Sequence, residues 1–510
     1  MKFDEKDFDT MLESAMSELP PDDIVEEVTP WRKSMRRVII GLGLTSLTLN
    51  FWCLNYILPV IGMVFLFLGY RTLRRANGWF MGCYVLTLLR LVTWFPSLIW
   101  DATIYNRILT ESSSSVFLIA ISLILRFIGH ICLWQGIKAV QRKAGLEEHA
   151  GGAVGLIVWF LVLTVLAMIG YSGIIIGLGV IVAYICILRS LWTLARDVDE
   201  AGYMIDASPV HLPDWCVTLI IGGILAIGLT LAYTFGGSYD MDWQPMEVSG
   251  DEEAAEVRAH LAELGFPEEI LRDMTDADVL ECKGAIRVVT EVRNHALNDG
   301  RRVQEKKKNA DGYYSFHTYT VYDVKELQIT GVAVELPTER EHWKIIHHFR
   351  WTSHPGYFGT ECIQLWPAYH LSKGWGQASD FTGQVLYDKD GVTYTSPYIS
   401  LGEETFTSTS MFWGQSTSTD VFAEFSMPDD GEAQRGYVSY TIKEMQDGWL
   451  VDAWINYTHG LSWRQYPFRT AKQQRMMTSQ NRVGAFMTVQ DALQFNAAEE
   501  KTQVIGGSEE

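Results

Sequence analysis

Between residues 38 and 236 apolar side chains run in long uninterrupted blocks; beyond 237 the pattern breaks into short alternating segments separated by Gly, Pro, Asp and Asn. The blocks have membrane-spanning length, since ~20 apolar residues cover a hydrocarbon core. They predict about seven spans, over 38–54, 56–72, 78–100, 115–137, 153–171, 173–193 and 216–236. The first two share one run, too long for a single span and carrying Asn50, Asn55 and Pro59 at its middle. A hairpin of two short helices, either two full spans or re-entrant, satisfies it.

A tether, "GGSYDMDWQP", follows the last block. Ser249 with Glu252, and Thr275 with Asp278, then have the spacing of capping boxes. Val257, Leu261 and Leu264 share a helical face, so a small helical element is expected over 237–284. From about residue 285 the period becomes that of strands. "LQITGVAVEL", "WKIIHHFRW", "RGYVSYTI" and "WLVDAWINY" are aromatic and β-branched, and "VLYDKDGVTYT" predicts a hairpin about an Asp-Gly turn. Residues 285–470 therefore read as an antiparallel sandwich or jelly roll, and 471–510 as a loosely ordered tail. The expected fold class is a polytopic α-helical membrane bundle followed by an extracytoplasmic, mainly antiparallel β domain.

Charge sharpens this picture. The formal total of −20 divides into about −8 over residues 1–30, about +6 over the bundle and about −18 beyond it. Bases cluster at Arg32–Arg37, Arg71–Arg75, Lys138–Lys143 and Arg189–Arg196, on alternate connections. That asymmetry predicts a cytoplasmic N-terminus and an outer β domain. The acidic "MKFDEKDFDT" does not resemble a secretory n-region, so the first span is expected to stay as an uncleaved anchor. An acidic surface excludes nucleic acid as a partner. With few cysteines and a lone sequon at Asn456, the composition suits a bacterial plasma membrane.

Candidate chemistry is sparse. Arg90 and Arg126 fall mid-span, and His130 lies one helical turn after Arg126; none of the apolar runs contains Asp or Glu. A charge at the bilayer centre costs at least ~3 kcal/mol, so these bases need hydroxyls, carbonyls, water or a bound anion. A guanidinium fork matches phosphate or carboxylate, which makes Arg90, Arg126 and His130 a candidate anion site. In the β domain, Trp375 and Trp413 sit among Gly and polar residues, as loop aromatics do, and are candidate ligand contacts. His347 and His348 are adjacent on a strand and point to opposite faces, so they cannot share an ion; no metal site and no cofactor is expected. Cys282 and Cys362 form either one disulfide or two free thiols. No hydrolase, P-loop or dinucleotide motif occurs, and no catalytic residues are nominated.

Three functions are compatible with these patterns. The outer β domain can bind or sense an envelope glycan or protein, with the bundle as anchor or signal conduit. Alternatively, the bundle can transport or process an anionic or lipid-linked substrate. A third option is a regulator that holds a cytoplasmic partner through the amphipathic segment 1–30.

Overall fold

The computed structural model describes residues 30–46, 53–106, 113–170, 173–202, 212–247, 250–297, 301–308, 314–321, 325–410, 414–446, 448–462, 465–477 and 485–497. The acidic segment 1–29 and Trp413 lie outside the described residues. The chain divides into two units, Met1–Trp100 with Tyr105–Thr230, and Asp101–Ile104 with Leu231–Glu510.

The first unit is helical: α1 Pro30–Ser46, α2 Leu54–Leu73, α3 Gly78–Trp100, α4 Ser113–Lys143, α5 Gly151–Met168, α6 Ile174–Glu200 and α7 Asp214–Gly236, whose last turns fall in the second unit. Six of them, α2 to α7, are long and apolar enough to cross a membrane, and the chain is a multi-pass membrane protein. Apolar side chains such as Met168 and Ile175 are exposed on the bundle, as lipid contact requires.

Helix α1 starts at Pro30 rather than at 38. Trp31, Ser34, Met35 and Val38 recur at helical spacing inside the basic cluster, and all four are buried. Lysines and arginines between them mask that stripe in a hydropathy reading. The α1–α2 hairpin closes tightly: a Cβ on Gly41 would stand 2.7 Å from the Gly62 carbonyl oxygen, and one on Gly62 2.9 Å from that of Gly41. Small residues let two membrane helices approach this closely. The bases of these clusters meet acids nearby, with Arg37 2.6 Å from Asp214, and Lys138 and Arg142 2.9 Å and 2.7 Å from Glu148.

The second unit begins its strands with β1 Gln244–Pro245, β2 Arg287–Leu297, β3 Arg301–Lys308, β4 Tyr314–Val321 and β5 Lys325–Glu335. Then come β6 His342–Trp351, β7 Glu361–Trp366, β8 Trp375–Gln377, β9 Thr382–Lys389 and β10 Val392–Pro397. The last are β11 Ser400–Ser410, β12 Gly414–Phe425, β13 Glu432–Glu444, β14 Leu450–Gly460 and β15 Phe486–Asn496. One sheet runs β1-β10-β9-β13-β6-β5-β2, with β8 also on β13; the other runs β11-β12-β7-β14-β15, and β3 pairs β4 separately. All described pairings are antiparallel, as the alternating segments predict. The Asp-Gly hairpin forms as expected: Asp390 and Gly391 have φ of 53° and 78° between β9 and β10.

The two large sheets face each other across Ile345, Phe349, Ile363, Val438 and Tyr457. A third layer covers the opposite face of the larger sheet. Helices α8 Glu252–Glu263, α9 Glu268–Asp273 and α10 Asp276–Leu280 pack Leu261, Ile270, Met274 and Val279 against Val332, Val334 and Ile346. The cap of α8 is Asp251, which accepts from the amides of Glu253 and Ala254, and not the expected Ser249, which lies outside the described residues. The Thr275 cap of α10 forms as predicted.

The expected loose tail is corrected over Ala471–Met476 and Phe486–Asn496. Ala471–Met476 is a helix, α12, the short Ala368–Leu371 being α11, and β15 is the edge strand paired along β14. Its inward row is Val489, Asp491, Leu493 and Phe495; the carboxylate in that row hides the period. Asp491 is accommodated because Arg293 and His295 reach it at 2.9 Å and 2.8 Å.

Candidate functional site

Helices α3 and α4 are sequence neighbours, and small residues let them pack closely. The Asn77 amide donates to the Gly136 carbonyl at 3.0 Å, and the Cys83 thiol to that of Gly129 at 3.7 Å. This register carries Thr87 and Arg90 of α3 to the level of Arg126 and His130 of α4. All four line one cavity of 20 Å³, closed by Leu42 of α1 and Tyr70 of α2. The three bases nominated from sequence are thus brought together.

Compensation for them is incomplete. Among the described residues neither guanidinium has a hydrogen bond or an ion pair to its side chain. Phe160 of α5 lies beneath the Arg126 guanidinium, 5.8 Å from ring centroid to Cζ, and its edge meets the His130 ring at 5.4 Å. A desolvated cation–π contact contributes up to about 2 kcal/mol, less than the cost of one mid-membrane charge, and two are present. The cavity has room for a water.

In the β domain the nominated aromatics fare differently. Trp375 is a correction: it is 3% exposed, and its indole donates to the Leu450 carbonyl at 2.7 Å. The flanking glycines that suggested a loop allow close approach instead: a Cβ on Gly374 would stand 2.9 Å from the Gly448 Cα, and one on Gly376 2.9 Å from the Met445 side chain. The disulfide alternative is also set aside, because both thiols are free and buried. Cys282 packs in the helical layer and Cys362 beneath α12. Burial pushes the Cys282 thiol up to about 12 and that of Cys362 well above its ordinary value, so neither is a nucleophile.

The crowded histidines of β6 divide between two faces, as adjacent strand residues must. His348 points to the helical layer, where Nε2 lies 3.0 Å from Asp273. The same carboxylate accepts two bonds from Arg435 Nε, at 2.9 Å and 3.0 Å. Burial alone would raise the Asp273 pKa, but His348 and Arg435 outweigh it and hold the carboxyl low. Asp278 is handled in the same way: Lys344, 3.0 Å away, with Tyr437 and Thr382, more than offsets burial. These two buried acids pin the helices to the sheet; the sequence marks Asp278 only as a partner of the Thr275 cap and does not mark Asp273, because their cations on β6 and β13 are distant along the chain.

Above this layer a polar cleft of 280 Å³ opens between Arg272, Arg350, Asp388, Thr393 and Arg435. Its charges are balanced, with Arg350 2.6 Å from Glu269 and Arg435 3.1 Å from Asp388.

No family model matches this chain, and no curated protein matches it. Among solved structures, one described as "Pore forming protein" overlaps 40% of this chain and 99% of its own length at 9% identity. Its TM-score is 0.18, and it carries no argument about fold or activity.

Proposed function

We propose that this membrane protein binds an anionic group inside its helical bundle, at Arg90, Arg126 and His130, and handles the lipid or lipid-linked molecule that bears it. The observation that carries this reading is the convergence of two guanidinium groups and an imidazole on one cavity, with no carboxylate among its lining residues. A phosphate or carboxylate would accept bidentate bonds from both arginines. The small cavity suits a head group whose apolar tail stays in the bilayer, rather than a whole polar metabolite. Native mass spectrometry of the purified protein should find a retained phosphate- or carboxylate-bearing species, lost in both Arg90→Leu and Arg126→Leu. If nothing is retained and both variants merely unfold more easily, the arginines only join helices and this reading fails.

The alternating basic loops support an orientation with the N-terminus in the cytoplasm and the β domain outside a bacterial plasma membrane. A second reading, in which the β domain binds or senses a ligand, is favoured by the open clefts on that domain. Photo-crosslinking in cells from Thr393, on the rim of the charged cleft, should then capture a partner. Capturing nothing there, or at the groove described next, returns the function to the bundle. The regulatory reading rests on residues 1–30 alone, and crosslinking from Phe8 or Met11 tests it.

A further inference from the structure

The outer face of the five-stranded sheet holds an unbalanced charge. Asp420 of β12 is 7% exposed, and Oδ2 accepts from the Gln364 amide at 2.5 Å. Among the described residues Oδ1 accepts nothing, and no cation pairs with the carboxylate. The nearby Arg475 is bonded to Gln364 Oε1 at 2.8 Å and 2.6 Å. The free carboxylate edge faces an open groove of 500 Å³ that Asp420 lines with Trp366, His370, Leu371 and Thr419; a ligand that covered that edge without donating to it would incur a large desolvation cost.

The rest of the groove shows what would satisfy it. Strand register sets Trp366 of β7 beside Trp454 of β14, and the step after Val421↔Leu365 brings Asp420 level with Trp366 on the same face. Helix α12 covers Cys362 and Phe422 farther along this face, leaving the tryptophan end open. Leu371 of α11 adds an exposed apolar wall. His370 Nε2 lies 3.1 Å from Glu403 Oε1; donating there leaves its Nδ1 as an acceptor. The site therefore offers two acceptors, a carboxylate oxygen and an imidazole nitrogen, beside an indole face. Carboxylates and phosphates are disfavoured by Asp420. A ligand rich in hydroxyl donors along one edge, with an apolar C–H face, fits.

We infer that the groove between Trp366 and Asp420 is a saccharide-binding site, taking a neutral hexopyranose unit with its ring face on Trp366 and a pair of hydroxyls donating to Asp420 Oδ1 and His370 Nδ1. The inference rests on the second reading above, that the β domain is a binding module, and names its ligand class. Water satisfies Asp420 Oδ1 between ligands, and its displacement by sugar hydroxyls keeps the bond.

The test uses the full chain in lipid nanodiscs, free of sugar-headed detergent. Tryptophan fluorescence is followed on titration with cellohexaose, maltohexaose, chitohexaose and laminarihexaose, and separately with spermidine. At least one hexasaccharide should bind, with Kd raised tenfold or more in both Trp366→Ala and Asp420→Asn. Asp420→Asn is nearly isosteric and can still accept from Gln364, so its Tm should equal or exceed that of the unaltered chain. A clear fall in that Tm would make the carboxylate structural and overturn the inference. Saccharide binding unchanged in both variants removes the site but leaves the binding-module reading. Spermidine binding that Asp420→Asn abolishes, without saccharide binding, removes the ligand class and again spares the reading. No response to any probe overturns both.

Discussion

His347 is 1% exposed on β6, its Nε2 has no partner, and burial pushes its pKa down to about 4. A depressed histidine pKa contributes stability that is fully present above the unfolded value of about 6.5 and is lost as pH falls toward 4. At 1.36 kcal/mol per unit the loss approaches roughly 3 kcal/mol. The β domain is therefore expected to lose stability between about pH 6.5 and 4, and His347→Leu should flatten that part of the curve. Chemical denaturation at stepped pH reads the difference directly; parallel curves for the two proteins would mean that His347 does not titrate in this range. The same scale shows where sequence reasoning is strong and where it is weak. Arg90, Arg126 and His130 stand out because lipid makes any base conspicuous. Trp375 misleads because flanking glycines mark a loop and a close packing contact equally well.

Among elements, the docking of α9 and α10 on the larger sheet rests on Asp273 and Asp278. Both carboxyl pKa values are held down, so their contribution is present above the unfolded carboxyl range and disappears as pH falls through the depressed values. Burial lowers the Lys344 pKa, but Asp278 and Glu281 outweigh it and raise the net value, so its share is lost only as pH rises through that raised value. Lys344→Met leaves Asp278 buried without its cation and should cost roughly 3–5 kcal/mol by urea unfolding. The double variant Lys344→Met with Asp278→Asn should recover much of that loss; no recovery would mean that packing, not charge, dominates. In the bundle, Gly41→Leu should prevent α1 from seating on α2, seen as a large fall in Tm, whereas Gly129→Ala, with open space at its Cβ, should be nearly silent.

At the scale of the whole molecule, orientation can be tested without knowing the ligand. With native cysteines replaced, Asp390→Cys on the β9–β10 turn should react with an impermeant maleimide added to intact spheroplasts. Glu147→Cys, on the α4–α5 link, should react only after lysis. The reverse pattern would invert the topology. Both residues are exposed, so protection reports the membrane and not the fold.

The long apolar blocks and the change of period near residue 285 were legible because both are one-dimensional: lipid demands continuous apolar helices, and a half-buried strand alternates. What needed the tertiary structure was everything set by a third dimension. The helical layer buries the second face of β6, which is why Lys344 and His348 lie inside a sheet whose sequence suggests one wet face. The Arg293–Asp491–His295 pairing turns an apparent tail into an edge strand. The antiparallel register of α3 and α4 decides that Arg90, Arg126 and His130 share one cavity, and the register of β7, β12 and β14 sets Asp420 level with Trp366. A sequence specifies which side chains carry charge and aromatic surface; only packing decides which of them face one another, because a one-residue shift in register turns a strand's whole set of side chains to the other face.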